Sequence, residues 1–221
     1  MNARLLPLCL ILAPAMAAAQ RGPDGYHCTA ETFTNIGAIH GVGYGEVQLS
    51  ADPQHRPTGT SYSYRIRDRV TGHGRMIATW QLPDGKFEAP AIASIWLPFH
   101  RELPQMPATI DISLDEGPPR SIPITDPGTI QVGSRGLANG LDLLGKTGTA
   151  PELRGRRSVG FTVKAADGSV LFQDLFLLPP WKKVPGAVAS GLRRARADLG
   201  KKKCGAFYRV GIRPTAAGLR P

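Results

Sequence analysis

Cysteine is scarce in this chain: there are three, at positions 9, 28 and 204. No second ligand stands at zinc spacing from Cys28 or Cys204, which argues against a structural zinc site. Histidine offers no more. His27, His40, His55, His73 and His100 are scattered, without a pair at metal-ligand spacing and without an H-E-x-x-H motif. No metal and no cofactor is expected from this set. After the first twenty residues no apolar run escapes interruption by charge or proline, so no transmembrane segment is expected; a spanning helix needs about 20 apolar residues. A G-x-S-x-G elbow, internal repeats and low-complexity linkers are also absent.

The apolar residues that do run together lie at the start, MNARLLPLCLILAPAMAAAQ. Arg4 is a short positive region, Leu5 to Ala13 an apolar one, and Pro14 breaks it. Ala17-Ala18-Ala19 supplies small residues for cleavage, so the pattern predicts a signal peptide over residues 1–19, cut before Gln20. Cys9 lies inside that segment and leaves with it. The two remaining cysteines, in an exported chain, predict a Cys28–Cys204 disulfide; two free thiols or an intermolecular bond are the alternatives. The expected location is periplasmic or secreted. Residues 20–221 fit a single β-rich domain, large enough for one core.

Charge is unevenly placed. The chain carries a net +10, yet residues 20–143 hold 10 Lys/Arg against 13 Asp/Glu, and residues 144–221 hold 16 against 4. The second part makes the basic field, which attracts anionic surfaces at low salt. For an exported protein these are acidic proteins, anionic polysaccharides or lipid head groups. No module for specific nucleic-acid recognition accompanies the charge.

Twenty prolines and 26 glycines disfavour long helices and favour short strands with turns. Residues 61–69 and 73–82 alternate polar and apolar, and parity selects the loop between them. A three-residue loop, Val70-Thr71-Gly72, sets Ile66 opposite Met76, Tyr64 opposite Ala78 and Tyr62 opposite Trp80, with Gly72 in the left-handed position. Further strands are expected near 28–34, 43–50, 91–97, 107–114, 120–132 in pieces, and 206–213. A hairpin over 158–166 and 169–178 is expected to turn at Asp167-Gly168. Its second strand is apolar on both faces and reads as central, with Asp174 out of place unless a bulge or an edge accommodates it. Two helices are expected. One spans 134–146 with Ser134 as N-cap. The other spans about 186–200, with Val188, Leu192, Ala195 and Leu199 on one stripe, Gly200 at its end and Lys201-Lys202-Lys203 beyond. The fold class is mainly β: an antiparallel sandwich or barrel-like domain with one or two packed helices.

Two stretches imitate catalytic motifs. Gly140 to Thr147 satisfies G-x-x-x-x-G-K-[ST], but no strand runs straight into it, and Gly148 and Pro151 obstruct the helix that a phosphate loop needs. Gly145-Lys146-Thr147-Gly148 resembles the third motif of penicillin-binding proteins and serine β-lactamases, but no serine stands in S-x-x-K. Glycines 41, 43 and 45 lack dinucleotide-loop spacing and read as a flexible turn. Asp115-Glu116, before Gly117-Pro118-Pro119, reads as another.

The three-residue-loop register places Arg67 opposite Arg75, with Arg65 and Arg69 one pleat away. Like charges facing each other on a sheet are unfavourable. That suggests an anion-binding strip of Arg65, Arg67, Arg69 and Arg75. The functional expectation is a non-catalytic binding module for an anionic envelope or extracellular partner. Its alternatives are a small exported hydrolase with a dispersed site, or an accessory subunit of an envelope assembly. The order of hairpin, helix and terminal cysteine resembles small exported proteins of the invasion-associated locus B type, without a motif specific to them.

Overall fold

Strict alternation builds the largest sheet, and its inner face can be read directly from it. In Gly41–Ala51 every odd-numbered residue is buried. The computed structural model of the chain describes residues 23–38, 41–87 and 92–207. The signal segment expected over 1–19, and residues 208–213 of the last expected strand, lie outside them. The strands are β1 (Gly25–Ala38), β2 (Gly41–Ala51), β3 (Pro57–Asp68), β4 (Gly74–Gln81), β5 (Ile92–Pro98) and β6 (Thr109–Leu114). Then follow β7 (Arg120–Pro123), β8 (Ile130–Val132), β9 (Ala138–Leu144), β10 (Ser158–Lys164), β11 (Val170–Leu177) and β12 (Gly205–Phe207), with helix α1 at Val184–Gly200.

Two antiparallel sheets result, neither closed into a barrel. The larger runs β12-β1-β2-β3-β4-β5-β9-β8 and the smaller β11-β10-β6-β7. Their inner faces enclose a core centred on Tyr62, Tyr64, Trp80, Leu97, Leu141 and Phe161. The smaller sheet leaves the β1–β2 end of the larger one bare, and α1 covers it. The expected stripe Val188, Leu192, Ala195 and Leu199 is buried there. Gly191 brings the helix against Thr32 and Val47 so closely that a Cβ would press on both side chains. Cys28 in β1 is bonded to Cys204, which follows α1; their Cα atoms are 4.6 Å apart. A fused ring cluster of Tyr62, Trp80, Phe87 and Trp181 anchors the chain just before α1.

Glycines 41, 43 and 45 are not a turn but the inner face of β2. Gly43 and Gly45 make room for tyrosine rings of β3: a Cβ on Gly43 would meet the Tyr64 hydroxyl, and one on Gly45 the Tyr62 hydroxyl. One on Gly41 would meet the Arg67 carbonyl and the Ile66 side chain. Asp115 and Glu116 do form a turn, both at positive φ.

The β3–β4 hairpin carries the expected core register, Tyr62 to Trp80, Tyr64 to Ala78 and Ile66 to Met76. Its turn differs. The Asp68 carboxylate accepts N–H bonds from Val70 and Thr71 at 2.9 and 2.8 Å, which starts the turn early. The hairpin therefore closes at Asp68 and His73, and Arg69 to Gly72 form the loop, with Gly72 at φ +70°. A bulge at Arg75 restores the register, so Arg67 faces Gly74 and not Arg75.

Three other expectations are corrected. Residues 134–146 are not a helix: Leu141 and Leu143 point to the core from β9, which is held between β5 and β8. Pairing with strands distant in sequence outweighs local propensity there. The β10–β11 hairpin turns through Ala166-Asp167-Gly168, because Ala165 donates its N–H to the Ser169 carbonyl and Gly168 sits at φ +83°. Strand β11 is an edge strand, not a central one. Half of its apolar run stays wet, with Leu175 48% exposed.

Candidate functional site

The four arginines singled out from the sequence do not share one surface role. Arg65 and Arg67 stand on the outer face of β3. The Arg65 guanidinium donates to Glu46 Oε1 at 3.0 Å, and that of Arg67 lies over the Tyr44 ring, 4.9 Å from its centroid. Arg69 is exposed in the turn. Arg75 is re-aimed by its bulge and donates to Asp174 Oδ2, with Asp68 3.8 Å away on its other side. Asp174 faces inward, because its register partner is the buried Phe161. The residue that looked misplaced in β11 is thus an edge-strand carboxylate that receives a cation from the other sheet. Two of the four arginines are matched to carboxylates.

A second basic surface surrounds α1. Between Trp181 and Lys203 the chain holds eight Lys or Arg and one acidic residue, Asp198. The apolar stripe of the helix is spent on packing, which turns its basic residues to solvent. Lys182, Lys183, Arg193, Arg194, Arg196, Lys201, Lys202 and Lys203 are all exposed. Arg194 donates to the Glu31 carbonyl. None of the other seven has an ion-pair partner among the described residues. Lys201 to Lys203 also lie at the negative end of the helix dipole.

The phosphate-loop imitation has the wrong local structure. Gly140 to Leu144 is strand β9, Gly145 to Thr147 is a single 3-10 turn, and Gly148 is left-handed at φ +71°. The Thr147 and Thr149 hydroxyls both donate to the Leu144 carbonyl, at 3.0 and 3.1 Å. No helix follows to present N–H groups to a phosphate. Among the described residues no group of three or more His, Cys, Asp or Glu is placed to hold a metal ion.

One carboxylate on β9 was missed by reading its segment as a helix. Asp142 lies on the outer face beside its register partner Trp96, whose ring covers Gly140. Asp142, Ser94, Lys146 and Glu152 line an open cleft of about 770 Å³. Asp142 Oδ1 is buried with no hydrogen-bond partner among the described residues, and burial holds its carboxyl above the ordinary 3.8. Asp111 on β6 is the opposite case. Lys164, 2.6 Å away, and Ser121 hold its carboxyl below that value.

The signs give a paired expectation. A lowered folded-state pKa contributes stability above the unfolded value that is lost in acid; a raised one contributes only below it. Asp111→Asn is therefore expected to lower the urea midpoint at neutral pH, and Asp142→Asn to raise it. The Asp142 difference should shrink as pH falls from its raised value to 3.8, and the Asp111 difference as pH falls from 3.8 to its lowered value. Urea melts of the three proteins at several pH values check this.

Comparison with protein-family models, with curated proteins and with solved structures gives no match for the chain.

Proposed function

We propose that the protein is a non-catalytic binding module for an anionic partner in the periplasm or outside the cell, and that the partner docks on the basic face of α1. The observation that carries this reading is the set of seven exposed cations around one helix, none with an ion-pair partner among the described residues. Packing does not call for them, since the apolar stripe already seats the helix, and the helix dipole accounts only for Lys201 to Lys203. A concentrated field of one sign attracts an opposite surface and speeds encounter with it. The signal-like first 19 residues and the Cys28–Cys204 disulfide support export. An anionic polysaccharide is the simplest partner for a broad, flexible-sided cationic face.

Heparin serves as the probe. Affinity should fall steeply with added salt, as expected when cations displace condensed counterions from a polyanion. Replacing Lys201, Lys202 and Lys203 by Glu together should weaken binding by more than about tenfold, with a stability loss of about 1 to 3 kcal/mol because three cations at the helix C-terminus become anions. Arg67→Ala and Arg69→Ala form the second arm. A loss confined to those two would place the anion surface on the β3 side. Binding that is indifferent to salt and to all of these changes would remove the reading.

A further inference from the structure

The inner face of the smaller sheet is not fully covered. Beyond β6 the sheet ends in β7, four residues long. That short edge leaves a gap beside Ile112, Leu114 and Ile122. Residues 148–156, which cross from β9 to β10, lie over the gap and leave a cavity of about 340 Å³. Its floor is Ile112 and Leu114 of β6 and Ile122 of β7; Arg120, Arg154 and Arg156 stand around it, with Glu152 the one acidic residue of the lining. A second cavity of about 130 Å³ adjoins the first, since Ile122 and Thr149 line both, and continues past Ile110 and Leu143.

The covering segment is held in place. Leu153 is fully buried in the core, the Arg156 N–H donates to its carbonyl at 3.1 Å, and the Trp181 indole donates to the Arg156 carbonyl at 2.6 Å. The opening is therefore a built feature and not a loop standing away from the body. Its chemistry is two-sided. Isoleucine and leucine surfaces that ordinarily pack in a core lie partly uncovered, while guanidinium groups occupy the rim. Arg156 shares Asp115 at 3.5 Å; Arg120 has no ion-pair partner among the described residues.

From this we infer that the cavity binds a single-chain anionic amphiphile, the chain along Ile112, Leu114 and Ile122 and the head group at Arg120, Arg154 and Arg156. The volume lies at the small end of ligand pockets, about 300 to 1,000 Å³, which suits one chain and not a two-chain lipid taken up whole. A small polar anion would leave the apolar floor wet, and a neutral hydrocarbon would leave Arg120 without a counter-charge. A carboxylate or phosphate head matches the planar, two-donor geometry of arginine. The chain arrives either free or as one tail of an anionic envelope lipid; the head-group chemistry is the same.

Displacement of a fluorescent fatty-acid probe by sodium dodecanoate tests this on the exported, oxidised protein. Saturable one-to-one binding is expected, with dodecanol at least about tenfold weaker and acetate inactive. Arg120→Ala, an exposed edge change, should weaken dodecanoate about tenfold while leaving the unfolding midpoint in place. Ile122→Glu should abolish binding. Sedimentation with phosphatidylglycerol vesicles separates the sources: vesicle binding that dodecanoate competes away assigns the site to lipid tails, and dodecanoate binding without vesicle binding assigns it to free amphiphiles. Replacing Lys201 to Lys203 by Glu should leave dodecanoate affinity unchanged, so this inference and the polyanion surface stand or fall separately. Absence of saturable dodecanoate binding, or binding that Arg120→Ala leaves unaltered, overturns it.

Discussion

Reduction of the Cys28–Cys204 bond, or Cys28→Ser with Cys204→Ser, is expected to lower the unfolding free energy by about 3 to 5 kcal/mol. The two residues are separated by 176 positions, and in the loop-entropy description so long a closure approaches about 5 kcal/mol, the upper figure. The native cost of the bond is small because its ends are already neighbours. Cys28 is buried in β1, and α1 packs on the same strand through Ala195 and Leu199, which join Cys28, Leu49 and Ala51 in a separate apolar cluster. Most domains are stable by only about 5 to 15 kcal/mol, so loss of the bond consumes a large part of the margin. Urea titrations with and without reductant measure it. A midpoint that does not move would mean that the β1–β12 pairing and the helix contacts hold this end without help.

The second large effect belongs to the pair between the sheets. Asp174→Ala is expected to destabilise by about 2 to 4 kcal/mol, somewhat below the full value for a broken buried pair. The side chains of Arg75 and Asp174 are 18% and 9% exposed, so the change removes the nearer carboxylate from a guanidinium largely out of water. Removing both charges should behave otherwise. Arg75→Met with Asp174→Leu is expected to recover most of the loss, since apolar replacement of a buried pair is often neutral or favourable. A double-mutant cycle on unfolding free energies isolates the coupling. Additivity of the two single changes would show that Arg75 and Asp174 act independently.

The history of this pair indicates what sequence can and cannot reveal here. Alternation in 61–69 and 73–82 was enough to place Tyr62 on Trp80 and Ile66 on Met76, because a one-residue slip would turn every apolar side chain to water. The core register follows from burial, which is local to the hairpin. The bulge follows from the Asp68 carboxylate capping its own turn, a contact of a few tenths of a nanometre that no period describes. Once Arg75 is displaced by it, its partner lies 99 positions away, and nothing in either segment announces the other. Asp174 was visible as an anomaly in an apolar run, and an edge position does accommodate it. Its cation was not visible.

Strand β9 shows the complementary difficulty. Three leucines near glycine, lysine and threonine satisfy helix and strand equally over so short a span. Insertion between β5 and β8 decides the matter, and that decision is made by distant residues. The same misreading hid Asp142. The basic surface was legible as a count, 16 cations against 4 anions after residue 143. Which of those cations would be matched depended on the packing of α1.

The placement of α1 and β12 bears on the order in which the fold can be completed. Strand β1 is flanked on one side by β2, its neighbour in sequence, and on the other by β12. Its inner face is roofed by α1. The earliest strand described is thus finished by the latest elements, so the β1–β2 hairpin waits with Val47, Leu49 and Ala51 bare until nearly the whole chain has been delivered. Contacts of such high sequence separation slow folding and prolong exposure of apolar surface. A chain built this way has a vulnerable interval set by its own connectivity.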